Sequence, residues 1–141
     1  MTYHYTFRSK IQKCSRLMSD ELNKILEPYQ LNYSLWQVLF VIHSKQRCTS
    51  IDIAEYLNVS KPSITKRIQA LQKLGALTLL ESQDKRQKLL CLSEHGLSLH
   101  DHCKDRIAMF EQQIMQILTP SQIEVTEQTM ELVMQQLQLM K

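Results

Sequence analysis

Lys61, Lys66, Arg67 and Lys73 place four positive charges between Val59 and Leu74, a stretch with no acidic residue. Ser60, Ser63, Thr65 and Gln69 stand among them, and Pro62 follows the first lysine. Ammonium and guanidinium groups suit phosphate oxygens, whereas hydroxyls and a side-chain amide suit the edges of bases. On one side of a helix, this mixture is what a major-groove reader needs. A solvated amphipathic helix that is basic for no reason has the same composition, so the surrounding elements must separate the two.

Two other groups carry chemical potential. Asp84, Lys85, Arg86 and Lys88 cluster in and beside the polar run Ser82-Gln83-Asp84-Lys85-Arg86-Gln87. His100-Asp101-His102-Cys103 suggests metal, but only His100 and Cys103 share a helix face; His102, two residues on, points away. No second ligand pair has zinc-site spacing, so no metal is expected. Cys14, Cys48, Cys91 and Cys103 form no CxxC and lie within structured patterns, which reads as buried, inert thiols in a reducing compartment. There is no Gly-rich phosphate loop, no G-x-S-x-G and no H-E-x-x-H, and only two glycines in all. Neither enzymatic activity nor a cofactor is expected.

The elements that must position the basic residues can be read outward from them. Thr49 and Asp52 have capping-box spacing at the start of one short helix, on which Ile53, Ala54 and Leu57 share a face. Asn58-Val59-Ser60 is a tight polar turn. Ser60 caps a second helix, with Pro62 in its first turn and Ile64, Ile68 and Leu71 as its buried stripe. That stripe turns Pro62, Thr65, Lys66, Gln69 and Lys73 outward, with Lys61 and Arg67 at the flanks. Gly75 ends the helix. Ala76 to Glu81 and Lys88 to Leu92 are short, apolar and strand-like, which predicts a hairpin with a charged tip. A hairpin directly after a helix-turn-helix is a wing, placed to reach a phosphate or the minor groove.

Upstream, Phe7, Ile11, Cys14, Met18, Leu22 and Ile25 give a helix from about Thr6 to Leu26, stopped by Pro28. Ser34 to His43 is almost wholly apolar and reads as a central helix, with Ser34 and Gln37 at capping-box spacing; Lys45, Gln46 and Arg47 form its exit loop. Downstream, Ser93 caps a long helix from about Glu94 to Leu118. His100, Cys103, Ile107, Phe110, Ile114 and Ile117 form its seam. Thr119-Pro120-Ser121-Gln122 starts the last helix, whose seam is Ile123, Thr126, Met130, Val133, Leu137 and Met140. One chain offers little to cover both seams. That shortage favours a homodimer of interlocked terminal helices over an intramolecular bundle.

At 141 residues the chain reads as one domain, with residues 34–93 a winged helix-turn-helix and residues 1–30 and 94–141 dimerisation helices. Few glycines and prolines and a net charge of +3 fit a mainly α protein whose basic character is local. MTYHYTFRSK lacks the apolar core of a signal peptide, and no apolar run approaches the roughly 18 residues of a span. A cytoplasmic protein without membrane contact is expected.

The order helix, buried helix, helix-turn-helix, wing and two long helices resembles the MarR family of winged-helix transcription regulators. Pro28, Leu31, Tyr33 and Val38-Leu39 resemble its first linker and second helix. Ile53-Ala54, Leu57, Val59-Ser60, Ser63-Ile64-Thr65, Ile68, Leu71 and Leu74-Gly75 resemble its helix-turn-helix. Asp84-x-Arg86, followed by Leu92-Ser93 and Gly96, resembles the wing signature D-x-R followed by L-T-x-x-G. The resemblance implies a homodimer on a pseudo-palindromic operator in double-stranded DNA, usually a repressor, released by a small aromatic effector or an oxidative signal. It implies groove or phosphate contacts from Ser60, Ser63, Thr65, Lys66 and Arg67, and a wing pair of Asp84 and Arg86. It also implies that Gly96 lets the long helix pack closely on its neighbour. The chain departs from the family at Leu79, where members often carry a basic residue, and at Ser93, which replaces a threonine. The reactive cysteine of oxidation-sensing members falls near Arg8 here, so that role does not transfer to Cys14. A winged helix that binds protein rather than DNA is the alternative, opposed by the basic outward face.

Overall fold

The structure, a computed structural model, describes residues 2–82 and 87–141. In chain order its elements are α1 (Thr2–Leu26), a 3-10 turn (Glu27–Tyr29), α2 (Tyr33–Lys45), α3 (Ser50–Leu57), α4 (Lys61–Lys73), β1 (Leu77–Leu80), β2 (Leu89–Leu92), α5 (Glu94–Met115) and α6 (Pro120–Leu139). Among the described residues, six helices and one two-stranded antiparallel sheet give the expected mainly α fold with a hairpin. The chain divides into two compact units, one ending at Asp105 and the other spanning Arg106–Lys141.

In the first unit α2 is the centre. Val38, Leu39, Val41 and Ile42 are sealed from solvent and Trp36 nearly so. Burying each such side chain is worth roughly 1.5–3 kcal/mol relative to exposure. Ile53 of α3 and Ile64, Ile68 and Leu71 of α4 complete this core. The helix starts one residue before the expected Ser34. Its cap is Asn32, whose side-chain oxygen accepts the Leu35 N–H at 2.9 Å. Asn caps as well as Ser, and Gln37, the other half of the expected box, is used elsewhere. The Tyr33 N–H donates to Asn23 Oδ1 of α1 at 2.7 Å, tying the two helices.

Among the described side chains of α1 only Leu26, at its C-terminal end, is enclosed; Ile11, Leu22 and Ile25 are half-buried. Phe7 and Met18 are exposed, and so is Cys14, contrary to the expected buried thiol. The apolar stripe is present, but nothing in this unit covers its middle. Cys91 is half-buried. Cys48 and Cys103 are enclosed, and burial pushes both thiols up to about 11.

The hairpin pairs Leu77 with Leu92 through Leu80 with Leu89. The expected exit loop of α2 does more than connect. Gln46 turns the chain at φ 69°, and Cys48 then exchanges two backbone hydrogen bonds with Leu90, at 3.2 and 2.8 Å. At the C-terminus of α4, Gly75 adopts φ 72° and donates to the Gln72 carbonyl at 2.9 Å, while Ala76 donates to Leu71 at 3.0 Å. This pairing is the glycine-terminated Schellman motif. Ser93 Oγ accepts the Gly96 N–H at 3.1 Å, capping α5, and donates to the Gly75 carbonyl at 2.6 Å. The Ser93 N–H donates to Ala76 at 2.9 Å. A Cβ on Gly96 would fall onto the Ala76 carbonyl. Gly96 therefore does admit a close approach, to Ala76 in the link between α4 and β1.

In the second unit, Thr119 Oγ1 accepts the Gln122 N–H at 3.1 Å and Gln122 Oε1 accepts the Thr119 N–H at 3.0 Å, the expected capping box of α6. Its apolar side chains are largely uncovered: Ile117, Leu132 and Leu139 are 82%, 66% and 81% exposed. No helix among the described residues is long and apolar enough to cross a membrane.

The two glycines make distinct predictions. Gly96→Ala should cost roughly 1–3 kcal/mol, because backbone must move to admit the methyl. Gly75→Ala meets no atom and should cost about 1 kcal/mol, for the positive φ alone. Urea denaturation of both variants checks this; a smaller loss at Gly96 would mean that α5 lifts freely from Ala76.

Candidate nucleic-acid interface

The helix-turn-helix is built by its caps. Thr49 Oγ1 accepts the Asp52 N–H at 3.2 Å and Asp52 Oδ2 accepts the Thr49 N–H at 2.9 Å, so the box at the start of α3 is complete. The Thr49 backbone hydrogen bond is also the main reason the Asp52 carboxyl lies below its ordinary pKa. Asn58 closes α3 in the left-handed region at φ 55°, ψ 49°, a conformation Asn tolerates better than most residues. Two residues on, Ser60 Oγ accepts the Ser63 N–H at 3.4 Å and starts α4.

With Ile64, Ile68 and Leu71 buried, Lys61, Pro62, Thr65, Lys66, Gln69 and Lys73 are exposed along α4, as is Ser60 ahead of it. Ser63 is half-buried. Among the described residues no carboxylate pairs with Lys61, Lys66 or Lys73. Their charge is uncompensated on a helix whose N-terminus, carrying the positive end of the helix dipole, also favours an anion. The Thr65 hydroxyl donates to the Lys61 carbonyl at 3.1 Å, so the group it offers outward is an acceptor oxygen and a methyl.

Arg67 is placed differently from the other cations. Its Nη1 donates to Gln37 Oε1 at 3.2 Å and to the Ser34 carbonyl at 3.4 Å, both on α2, and the side chain is half-buried. It braces the recognition helix against the central helix.

Gln87 and Lys88 lie exposed just before β2, and Ser82 Oγ donates to the Gln87 carbonyl at 2.7 Å at the base of the wing. Asp84, Lys85 and Arg86, the expected tip, lie outside the described residues.

The sequence reading missed one cluster. His100 is 2% exposed, and its partner is His43 of α2, with ring centroids 3.6 Å apart, not Cys103 or His102. His100 Nδ1 lies 3.0 Å from Asp101 Oδ1. Donor atoms of His43, His100 and Asp101 all lie within 4.8 Å of one another, the set a metal would use. The two ring planes, however, are only 11° apart. Face-to-face rings hold their in-plane lone pairs side by side, whereas a metal needs them to converge. No local spacing joins His43 to His100, so only the tertiary fold reveals the pair.

Residues 29–87 match the model of the MarR family. The uncharacterized HTH-type transcriptional regulator YwoH of Bacillus subtilis is 29% identical over 106 residues, 75% of this chain and 77% of that protein. An uncharacterized HTH-type transcriptional regulator of Staphylococcus aureus is 35% identical over 78 residues, 55% of this chain and about half (53%) of its own length. Among solved structures, a MarR mutant from E. coli complexed with operator DNA superposes with a TM-score of 0.84 at 21% identity, covering 91% of this chain and 93% of that one. MarR of Staphylococcus aureus in complex with salicylate and kanamycin gives 0.87 at 24%, covering 96% and 93%. The Staphylococcus aureus MepR–DNA complex gives 0.84 at 21%, covering 97% and 99%.

The placement of Arg67 separates bracing from contact. Arg67→Ala should lower unfolding stability by about 1–3 kcal/mol, since it strands two acceptors on α2. Lys66→Ala should leave stability within about 0.5 kcal/mol. Chemical denaturation measures both; full stability in Arg67→Ala would show that the contact to α2 contributes nothing.

Proposed function

We infer that this chain, whose residues 29–87 match the MarR family model, is a DNA-binding transcription regulator with α4 as its reading helix. The observation that carries the reading is the exposed row Lys61, Thr65, Lys66 and Gln69, unpaired with any described carboxylate, on a helix whose opposite face is locked into the core. Lys61 and Lys66 meet phosphates. Ser60, Pro62 and Ser63 bring the helix N-terminus to the backbone. Thr65 and Gln69 face base edges. Lys85, Arg86 and Lys88 reach the flanking backbone or minor groove, with Asp84 holding the tip. Arg67 acts by fixing the angle of α4.

The functional unit in this reading is a homodimer. The uncovered side chains of Ile117, Leu132, Leu137, Leu139 and Met140 favour it, because so much apolar surface on one helical unit is rare in a monomer. Two copies of α4 would then lie roughly 34 Å apart, one turn of duplex, and select a pseudo-palindrome. The operator-bound E. coli neighbour supports the binding of operator DNA. The salicylate complex of the Staphylococcus aureus neighbour supports release by a small aromatic acid. Repression in the cytoplasm follows from operator occupancy that such a signal relieves. No catalytic step is part of this function.

Two measurements test it. Fluorescence anisotropy on a duplex from the chain's own promoter region should show tight, salt-dependent binding. Lys66→Ala should weaken it and reduce the slope of log K against log salt by about one. Gln69→Ala should instead lose about 1–3 kcal/mol of discrimination at one base pair. A protein that shifts no duplex at low salt would be a protein-binding winged helix instead. Sedimentation at micromolar concentration should give twice the chain mass of 16.6 kDa; a monomer there overturns the paired reading head.

A further inference from the structure

Trp36, Phe40 and His43 recur at helical spacing along α2, and His100 of α5 lies against Trp36 and His43. The His43 and His100 rings are stacked at 3.6 Å and 11°, and the Trp36 and His100 rings at 5.4 Å and 15°. Asp101 Oδ1, 3.0 Å from His100 Nδ1, anchors the buried ring from the solvent side. This stack joins the central helix to the start of α5, and the DNA-reading surface does not use it.

Stacked neutral imidazoles are compatible, whereas a proton on His43 sets its charge face-on against the buried His100 ring. Two charged rings at this separation repel strongly in a partly desolvated site. His43 is the ring that must stay neutral. Burial first, and the neighbouring His100 second, hold it below the ordinary imidazole value of 6.5, with Asp101 opposing and Lys104 adding to the effect. The other elements packed on α2 bring few charges to this point. Cys91 of β2 lines the small cavity beside His43. The buried Cys103 thiol of α5, pushed up to about 11, stays neutral. Asp52 of α3 and Lys45 act on Cys48. Arg67 of α4 and Asn23 of α1 engage the N-terminal half of α2.

We propose that the His43–His100 stack is a proton-sensitive clamp between α2 and α5, closed while His43 is neutral, and that protonating His43 opens it and weakens DNA binding. The second half rests on the DNA-binding reading above. The route to α4 is short: the helix that carries His43 also carries Ser34 and Gln37, which accept the hydrogen bonds that brace Arg67. The sign follows from linkage. A histidine whose value is lowered in the closed state binds its proton better when open, so closure is fully favoured above about 6.5 and is lost as pH falls from there through the lowered closed-state value. A cavity of about 90 Å³, lined by Ile42, His43, Gln46, Cys91, Leu92 and Leu97, leaves room for water to reach the ring.

The test compares the intact protein with His43→Phe, which keeps a flat ring over His100 but cannot be protonated. Affinity for the promoter duplex and thermal melting of the free protein are measured at pH 7.5 and 5.5, and the imidazole resonances of the intact protein are titrated by NMR. The intact protein should lose DNA affinity on acidification, about ten-fold for each unit by which the open and closed His43 values differ. The direction is diagnostic, because added positive charge on the protein would by itself strengthen DNA binding. His43→Phe should keep or gain affinity, and its melting should fall less between the two pH values. Equal pH dependence in the two proteins overturns the clamp, as does a His43 ring titrating at or above 6.5. Zn²⁺ that raises the melting of the intact protein at pH 7.5 but not that of His43→Phe also overturns it, in favour of a metal site. If neither protein binds DNA at any pH, melting and NMR still decide the clamp, and the failure belongs to the DNA-binding reading. If His43→Phe does not fold, the NMR titration of the intact protein decides alone.

Discussion

The Ala76 peptide is the node on which the reading head depends. Its N–H closes the end of α4 on Leu71, and its carbonyl accepts from Ser93. The bare Cα of Gly96 packs where any side chain would strike that carbonyl. The last turn of the reading helix, the first residue of the hairpin and the first turn of α5 therefore meet at one backbone unit. Ser93 tightens the knot by capping α5 while holding the Gly75 carbonyl. None of this involves a large side chain; close backbone approach is itself the constraint, and it requires glycine at one position and a short hydroxyl at another.

Around that node, α2 acts as the plate that transmits position. Its apolar residues fill the core, but its polar ones do the coupling. Asn32 caps it, Tyr33 ties it to α1, Gln37 and Ser34 receive Arg67, and His43 meets α5. The exposed cations of α4 thus project from a helix fixed at its C-terminal end by its Schellman turn and at its middle by Arg67. A phosphate-reading surface benefits from such rigidity, because charges already in place lose less freedom on binding.

Local signals made much of this legible in the chain itself. The capping boxes at Thr49 and Thr119, the turn at Asn58, the stripe Ile64–Ile68–Leu71 and the glycine stop at Gly75 are each short-range physics, and each is where spacing places it. Readings that needed a tertiary partner fared less well. Asn32, not Ser34, caps α2, and Gln37 accepts from Arg67 instead of completing a capping box. Cys14 shares an apolar stripe but is exposed, since a periodic pattern tells which side is apolar and not whether anything covers it. Arg67 looked like its neighbouring lysines, and only the position of α2 distinguishes it. The His43–His100 pair joins distant residues with no shared motif.

The exchange of hydrogen bonds between Cys48 and Leu90 has a mechanical meaning. It makes the loop before α3 a third rung on the inner strand of the hairpin, so the wing is stapled at its root to the segment that launches the helix-turn-helix. In the proposed complex with DNA, such a wing would not slide along the duplex independently of α4. The two would behave as the jaws of a fixed-gap caliper. A duplex whose groove spacing differs from that gap would have to be bent or twisted to fit, and sequence would then be read in part as the ease with which the DNA yields.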